Sequence, residues 1–366
     1  MQVSTYLKNF DWILLAAIVL LACFGLVEIY SIALGQSNPD LLQFKKQIFF
    51  VGIGLAAMFM LSFIDYYNLR SFSIYLYAAG VLMLFGVLLF GKTIRGTTGW
   101  FEFMGLTLQP AEFAKLILII FLARYFSGVS IKISPVKHLL LSGLGSLVLI
   151  VLILKQPDFG SAAILFLLWL AMITLAGFRK KHIIAICLIL TLSLGAGWVF
   201  FFEPYQKQRI LTFVNPGKDS LDEDYNIIQA TIAVGSGRVM GRGIGFGSQS
   251  QLKFLPEAQN DFIFAVIAEE LGFLGVCLVI FLYSAFFYRI ISNIKRVNND
   301  FGIYVLLGII VLIFIEMFIN IGMNIGIVPV VGISLPFVSY GGSAIIASLM
   351  MVGIAEGIII RSKIKY

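Results

Sequence analysis

The sequence predicts an all-α, polytopic integral membrane protein, and three observations lead to this fold class. The chain has 366 residues, of which 60% are hydrophobic and only 12% charged, about half the charged fraction of soluble domains. Apolar runs of about 18 residues or more recur along its whole length, as is typical of membrane-spanning helices. Glycine is abundant, with 35 residues, as expected where helices pack closely in lipid. We therefore expect a single membrane domain over residues 1–366.

About ten transmembrane helices can be placed along the chain. The first apolar run is too long for a secretory signal core and lacks a clean cleavage pattern, so we interpret it as a retained helix. A large extracytoplasmic loop, residues 203–260, is expected between spans 7 and 8. The predicted spans lie near residues 12–34, 47–64, 73–91, 111–126, 137–154, 160–178, 182–202, 261–288, 303–326 and 335–360.

Lysine and arginine set the orientation, because cytoplasmic loops carry an excess of both residues. With the N-terminus inside, the clusters FRKKH, KRVNND and RSKIKY all fall on the cytoplasmic side. The long loop adds six cations outside but also six acids, which weakens the bias without reversing it. We therefore expect both termini in the cytoplasm, and we interpret the clusters as orientation anchors rather than nucleic-acid patches.

Cysteine and histidine provide no framework for a metal or a disulfide. Cys23, Cys187 and Cys277 lie inside apolar runs, where packing is their expected role. His138 and His182 stand alone, without a partner at metal-ligand spacing. No metal-binding residues and no organic cofactor are therefore expected from these residue types.

Acidic residues stand where the long loop meets the eighth span. Asp261 can either cap this helix or act as a general base at the membrane surface, within reach of an acceptor hydroxyl. Glu269 and Glu270 follow in the body of the span, where acids are costly and are usually functional or paired. They cannot both line one cavity with Asp261, and the sequence does not say which of them braces the interior.

Two spans on the outer side begin with the same Gln-Pro-acid pattern. In QPAEFAK, Glu112 and Lys115 are three residues apart and can pair on one helix face, or Lys115 can face a cavity and hold an anionic ligand. In QPDFG, Asp158 lies near the start of a helix. Two such starts on one side of the membrane suggest a shared polar vestibule.

The long loop contains a glycine-rich stretch, GSGRVMGRGIGFG, with Arg238 and Arg242. Lys253 follows, and residues 225–256 contain no acid. Backbone N–H groups in such a run can bind anions, so the stretch is either a flexible turn or a phosphate clamp. It lacks the context of a nucleotide-binding motif. Apolar segments such as YNIIQATIAV favour an ordered loop that partly enters the membrane.

The segment VPVVGISLPFVSYGGSA, residues 328–344, breaks the helical pattern before the last span. Irregular backbone at membrane depth is tolerated only where protein or a watery cavity covers it. Ser339 and Tyr340 offer hydroxyl groups there, and we expect them to be structural more than catalytic.

Together these stretches resemble the shape, elongation, division and sporulation (SEDS) family of bacterial envelope proteins, over essentially the whole chain. NIGMNIGIVPVVGISLPFVSYGGSA resembles its C-terminal signature, and QPAEFAK, QPDFGSA and LPEAQNDFIFAVIAEELG resemble three further motifs. RILTFVNP, YNIIQATIAVGSG and GSQSQLKFLPE are more similar to the RodA branch than to the FtsW branch.

The resemblance implies a peptidoglycan glycosyltransferase of the bacterial cytoplasmic (inner) membrane that polymerises lipid II, an undecaprenyl-pyrophosphate disaccharide-peptide. It also implies a class B penicillin-binding protein as partner. The family's essential acid falls on Asp261, and Trp100 matches an outer-loop tryptophan. The family's arginine before that tryptophan is Gly99 here, so Arg95 or another cation would have to replace it. The family's polar pocket residues fall on Glu112, Lys115, Asp158, Lys253 and Glu257.

The mechanism expected from both arguments is an inverting transfer. Asp261 would accept the proton of the acceptor 4-hydroxyl as that oxygen attacks the anomeric carbon of the donor. Lys115, Arg242, Lys253 or a divalent cation such as Mg or Mn, held mainly by pyrophosphate, would stabilise the leaving group. Two alternatives stay open at this point, namely a lipid II flippase or other transporter and a non-catalytic scaffold for a cell-wall synthase.

Overall fold

The computed structural model is an all-α membrane protein with one small β-sheet. It describes residues 3–34, 41–94, 96–103, 105–129, 133–200, 207, 223–252, 254–255 and 257–364. The helices are α1 (Val3–Asn9), α2 (Trp12–Leu34), α3 (Leu42–Phe63), α4 (Tyr66–Phe90), α5 (Pro110–Ser127), α6 (Pro135–Leu154), α7 (Phe159–Leu175), α8 (Lys180–Phe200), α9 (Glu223–Ser236), α10 (Ser248–Gln251), α11 (Ile263–Ile294), α12 (Asp300–Asn324) and α13 (Gly342–Lys363).

Every predicted span has a matching helix, which confirms the polytopic fold. Among the described residues, seven helices are long and apolar enough to cross a membrane by length and composition. The helix α5 carries three charges, Glu112, Lys115 and Arg124, and α7 is a shorter apolar helix of 17 residues. Large apolar side chains on the outside of the bundle, such as Met60 and Phe90, are exposed in the protein alone, as expected of a surface that faces lipid.

The helix α12 holds a central position in the bundle. It packs against α5, α7, α11 and α13, while α3 packs along α13 and α2 along α11. Its apolar face is fully buried, with Phe301, Val305, Ile309 and Leu312 inaccessible to solvent. Polar residues of α12 that point into the bundle therefore lie between several helices at once.

The eighth and tenth predicted spans depart from regular helices. The span expected over 335–360 begins only at Gly342, because residues 328–341 form an irregular segment without helix. In α11 the backbone of Gly272 is not helical, with φ 66° and ψ −163°, so two helical pieces join there at a kink. Gly272 follows Glu269 and Glu270 in the chain, and the irregular segment contains Ser339 and Tyr340.

Two features of the outer segments were not predicted. Residues 92–108 form a three-stranded antiparallel sheet of β1 (Lys92–Ile94), β2 (Thr97–Phe103) and β3 (Leu106–Leu108), with β2 in the centre. The long loop contains α9 and the single-turn helix α10. The apolar stretch 225–234 therefore lies in a helix that packs on α11, as expected of an ordered loop, while residues 208–222 lie outside the described part of the chain.

Candidate active site

Two buried asparagines of α12 hold the backbone of Asp261 in place. The side-chain amides of Asn320 and Asn324 donate to the Asp261 carbonyl oxygen, at 2.9 and 3.0 Å. Asn320 also donates to the carbonyl of Ile333, at 2.7 Å. Both asparagines are fully buried, where such bonds are expensive to break. The position of Asp261 is therefore fixed by α12 and by the irregular segment together.

The N-cap position of helix α11 lies one residue after Asp261. The helix begins at Ile263, its N-cap residue is Phe262, and no side chain of that residue caps it. The side-chain oxygen of Asn324 accepts from the Ala265 N–H instead, at 3.1 Å. The first turn thus receives from α12 an acceptor that a cap residue would otherwise supply.

The irregular segment 328–341 packs tightly on the Asp261 turn. A Cβ atom added at Gly332 would lie 3.6 Å from Asp261 Oδ2, and one at Gly160 would lie 2.4 Å from the Val331 carbonyl oxygen. Gly160 belongs to the first turn of α7, so no larger residue fits there without a backbone shift. The segment therefore contacts the start of α7 at Val331 and the Asp261 carboxyl at Gly332.

Ser339 has a structural role. Its hydroxyl oxygen accepts from the Leu335 N–H at 2.8 Å and its hydroxyl donates to the Asn260 carbonyl at 2.6 Å. Tyr340 donates its backbone N–H to the Gln259 carbonyl. Both contacts tie the irregular segment to the turn before Asp261, in agreement with the expectation that Ser339 and Tyr340 act structurally.

Lys115 lies between two carboxylates. Its ammonium group is 2.7 Å from Glu112 Oε1, the predicted partner, and 2.6 Å from Glu316 Oε1. Lys115 and Glu316 are buried, and Glu112 is nearly so. The single cation is therefore matched by two anions, so Lys115 is held in an ion cluster rather than left with an unshared charge toward a ligand.

Glu316 and the two asparagines form one stripe on α12. Spacings of four residues place Glu316, Asn320 and Asn324 along one helix face, about 12 Å from first to last. The stripe joins the Lys115 cluster to the Asp261 turn. Sequence reasoning missed these residues, although polar side chains at every fourth position of an apolar span were a readable signal.

Three helices begin close together beside this stripe. The Gln109 N–H donates to the Ser343 hydroxyl at 2.8 Å, and the Gln109 side chain donates to Asp158 Oδ2 at 3.2 Å. Gln109 is the N-cap of α5, Asp158 is the N-cap of α7, and Ser343 lies in the first turn of α13. Asp158 also accepts from the N–H and hydroxyl of Ser161. The two Gln-Pro-acid starts and the start of α13 thus bring three helix N-termini together, whose dipoles favour an anionic ligand.

Both acids in the body of α11 hold the glycine-rich loop. Glu269 accepts from the backbone N–H groups of Gln249 at 2.9 Å and Ser250 at 3.2 Å. Glu270 accepts from the Gly245 N–H at 3.0 Å and from the Ser31 hydroxyl of α2. Both glutamates are fully buried. The sequence left open which of them braces the interior, and the structure shows that both do so.

The loop arginines lie on the outer surface of this braced segment. Arg242 is exposed and donates to the Ser248 hydroxyl at 2.7 Å. Arg238 is exposed in a left-handed backbone conformation, with φ 49°. Their backbones are fixed by bonds from the Arg242 N–H to the Glu269 carbonyl and from the Phe273 N–H to the Arg238 carbonyl. The stretch is therefore an ordered loop rather than a flexible turn.

Of the other residues predicted for the site, Glu257 lies in the turn that leads to Asp261, whereas Trp100 lies in the small sheet. Trp100 is half-buried in β2 opposite Lys92, and no hydrogen bond joins it to the Asp261 turn in the described residues. Glu257 accepts from the Asn260 side chain at 2.7 Å, which places it in the turn that leads to Asp261. Lys253 and Arg95 lie outside the described residues.

The described residues supply the Asp261 carboxylate, two further acids at Asp158 and Glu257, and three helix N-termini. Within the described ranges, no group of three or more His, Cys, Asp or Glu residues could hold a metal ion. The groups present suit proton transfer at Asp261 beside an anionic ligand more than a metal centre built from protein ligands.

A family model described as FTSW_RODA_SPOVE, cell cycle protein, matches residues 11–363. Stage V sporulation protein E of Bacillus subtilis is 37% identical over 353 residues, covering 94% of this chain and 95% of that protein. The peptidoglycan glycosyltransferase MrdB of Escherichia coli is 34% identical, covering 96% and 93%. A probable peptidoglycan glycosyltransferase FtsW of Geobacter metallireducens is 32% identical, covering 98% and 96%.

Solved structures share the same fold. The rod shape determining protein RodA of Thermus thermophilus superimposes with a TM-score of 0.73 at 26% identity, covering 97% of this chain and 98% of that one. A chain of a peptidoglycan synthase complex, described as coordinating polymerization and crosslinking, superimposes with a TM-score of 0.83 at 29% identity, covering 97% and 98%.

Proposed function

The chain belongs to the FtsW, RodA and SpoVE family and is a peptidoglycan glycosyltransferase, and from this premise we propose that Asp261 is the general base of glycan polymerisation. The proposal rests on the hydrogen bonds that hold the backbone of Asp261. Asn320 and Asn324 fix its backbone, and Asn324 also supplies the acceptor at the start of α11. The backbone that carries this carboxylate is thus held by two buried side chains of α12.

The substrate we propose is lipid II. Its polyprenyl tail belongs in lipid, its pyrophosphate at the headgroup level and its glycan in water. A carboxylate at the outer end of the bundle, next to three helix N-termini, suits a donor that presents all three parts at one membrane surface. Asp261 would accept the proton of the acceptor 4-hydroxyl as this oxygen displaces pyrophosphate, and direct displacement inverts the anomeric centre.

Positive charge would stabilise the negative charge that develops on the leaving pyrophosphate, and we propose that cations of the long loop provide it. Arg238, Arg242 and Lys253 are the candidates, because Lys115 already shares its charge between Glu112 and Glu316. A divalent cation such as Mg²⁺ or Mn²⁺ would neutralise further charge there. Since the described residues offer no cluster of three ligands, we propose that pyrophosphate oxygens and one carboxylate hold it.

We propose that the reaction takes place at the outer face of the bacterial cytoplasmic membrane, with both termini in the cytoplasm. The distribution of lysine and arginine supports this orientation. As partner we propose a class B penicillin-binding protein, supported by the likeness to a chain of a synthase complex that couples polymerization to crosslinking. The RodA-like motifs favour a role in cell elongation over division, although the identities to MrdB and FtsW, 34% and 32%, are close.

Purified protein with labelled lipid II tests the function directly. We expect glycan strands on a gel in detergent, where no membrane separates two compartments, and longer strands with a divalent cation and the transpeptidase partner. Movement of labelled lipid II across vesicles without any polymer would favour a flippase. The scaffold would be favoured if neither protein makes polymer alone and the chain is needed only to recruit the partner.

A further inference from the structure

A polar cavity of about 740 Å³ opens at the end of the bundle opposite Asp261. Its walls come from the start of α4, the end of α5, the turn between α11 and α12, and the end of α13. Asp300 in its wall and Asn324 beside Asp261 are 24 residues apart on α12, which corresponds to roughly 36 Å. The cavity is therefore separate from the candidate active site, and its volume is in the range of small-molecule sites.

Part of the charge in this cavity is satisfied within the protein. Arg361 donates to the backbone carbonyls of Ser62 at 3.2 Å and Phe63 at 2.7 Å, and it lies 3.7 Å from Asp65. The Asp65 carboxylate in turn accepts from the Tyr67 N–H as the N-cap of α4. Arg361 and Asp65 thus join the end of α3 to the start of α4 and share their charges within the protein.

Two further arginines line the cavity with their charges unshared. Among the described residues, neither Arg70 nor Arg296 makes an ion pair or a side-chain hydrogen bond, and Asp300 is the only remaining acid in the wall. The cavity therefore carries an excess of one positive charge, and Asn298 adds a side-chain amide. Guanidinium groups bind phosphate through paired hydrogen bonds, so a phosphate group is the ligand chemistry that this wall fits.

We propose that this cavity binds the phosphate headgroup of an anionic phospholipid in the adjoining leaflet. It lies where five helices begin or end, and Tyr66 and Tyr67 in its wall are residues typical of the membrane interface. Ile74, one turn beyond Arg70 on the same face of α4, is strongly exposed, which offers an apolar surface to acyl chains. In the orientation proposed above this is the cytoplasmic leaflet, whose anionic lipids attract arginine. A soluble phosphate compound would use the arginines but not the apolar surface.

Native mass spectrometry of the full-length protein in detergent tests this site, with phosphatidylglycerol as the probe. In the Arg70→Gln/Arg296→Gln variant we expect the affinity for the first bound lipid to fall by about thirty-fold. The matched control is Arg179→Gln/Lys181→Gln, which removes two cations from the same predicted face without touching the cavity wall. The control is expected to bind the lipid as the parent does.

Two results would overturn the proposal. Equal lipid affinity in the Arg70/Arg296 variant and in the parent removes the phosphate site. Displacement of the lipid by inorganic phosphate at equal concentration removes the lipid assignment and gives the cavity to a soluble phosphate compound. Polymer synthesis is measured on the same preparations, so a failure of this proposal is distinguishable from a failure of the Asp261 mechanism.

Discussion

Removing the charge of Lys115 should destabilise the protein strongly, because two carboxylates depend on it. The variant Lys115→Met keeps the length of the side chain but leaves Glu112 and Glu316 facing each other without a cation. Breaking a buried ion pair by removing one partner costs about 3–5 kcal/mol. At roughly 2 °C per kcal/mol for a chain of this size, the midpoint of thermal unfolding should fall by roughly 6–10 °C.

The double variant Lys115→Met/Glu316→Gln shows whether this cost is electrostatic. It removes the cation together with the deeper anion, and it leaves Glu112 in the first turn of α5, where the helix dipole favours an acid. We therefore expect it to recover most of the lost stability. Lys92→Met is the matched control, because Lys92 and Glu102 form an exposed pair, and exposed pairs contribute about 0–1 kcal/mol.

The assay is thermal unfolding of each purified variant in the same detergent, followed by tryptophan fluorescence. Two results would refute the reasoning. One is a Lys115→Met protein that unfolds at the parent temperature. The other is a double variant that is no more stable than the single variant, since this would mean that packing rather than charge is lost.

Three further predictions follow from the described contacts. Asn324→Leu removes the bond to the Asp261 carbonyl, so kcat for polymerisation should fall by about a hundredfold with KM unchanged. A rise in KM with kcat unchanged would count against a positioning role. Glu269→Ala frees backbone N–H groups of the loop, so hydrogen exchange at residues 249–250 should rise at least about tenfold, whereas unchanged exchange would show that Glu270 suffices. Burial raises the pKa of Asp11, but its bonds to Arg289, to a backbone N–H and to an amide lower it more, so the net pKa is depressed. Asp11 therefore stabilises the fold above about pH 4, and unfolding midpoints should drop more steeply below that pH in the parent than in Asp11→Asn. Equal slopes in the two proteins would contradict this role of Asp11.

The ten helices could be predicted because lipid leaves the chain few choices. Every backbone polar group inside the bilayer must be paired within its own helix, so an apolar run of sufficient length is a helix. The prediction was less accurate where protein replaces lipid around the chain. Residues 335–341 were included in a predicted span, yet the Ser339 carbonyl and the Gly341 N–H bond to the Gln47 side chain, and the Tyr340 N–H bonds to the Gln259 carbonyl. Pattern alone does not reveal such partners.

Two glycines in the sequence indicate the turns of the small sheet. Gly96 and Gly105 both have a positive φ, at 80° and 75°, and they occupy the two turns of the sheet. Glycines of this kind between short stretches of β-branched and aromatic residues are typical of hairpins. An outer segment with this composition can therefore be recognised from sequence as a hairpin even in a helical membrane protein.

The sequence indicated some residues of the candidate site but not their partners. Asp261, Glu112 and Lys115 could be found because each lies near the end of an apolar run. Their partners could not be assigned, since Glu316 lies 201 positions from Lys115 and Asn324 lies 63 positions from Asp261. Such long-range pairs depend on which helices are neighbours, and periodicity does not fix the neighbours of a span.

Strand synthesis by Asp261→Asn tests the central claim most directly, with lipid II binding measured in the same sample. The amide keeps the size of the side chain, and the backbone bonds from Asn320 and Asn324 are untouched. We expect a folded protein that binds lipid II as the parent does and makes no glycan strands. Strands of normal length at the parent rate would contradict the assignment of Asp261 as the base.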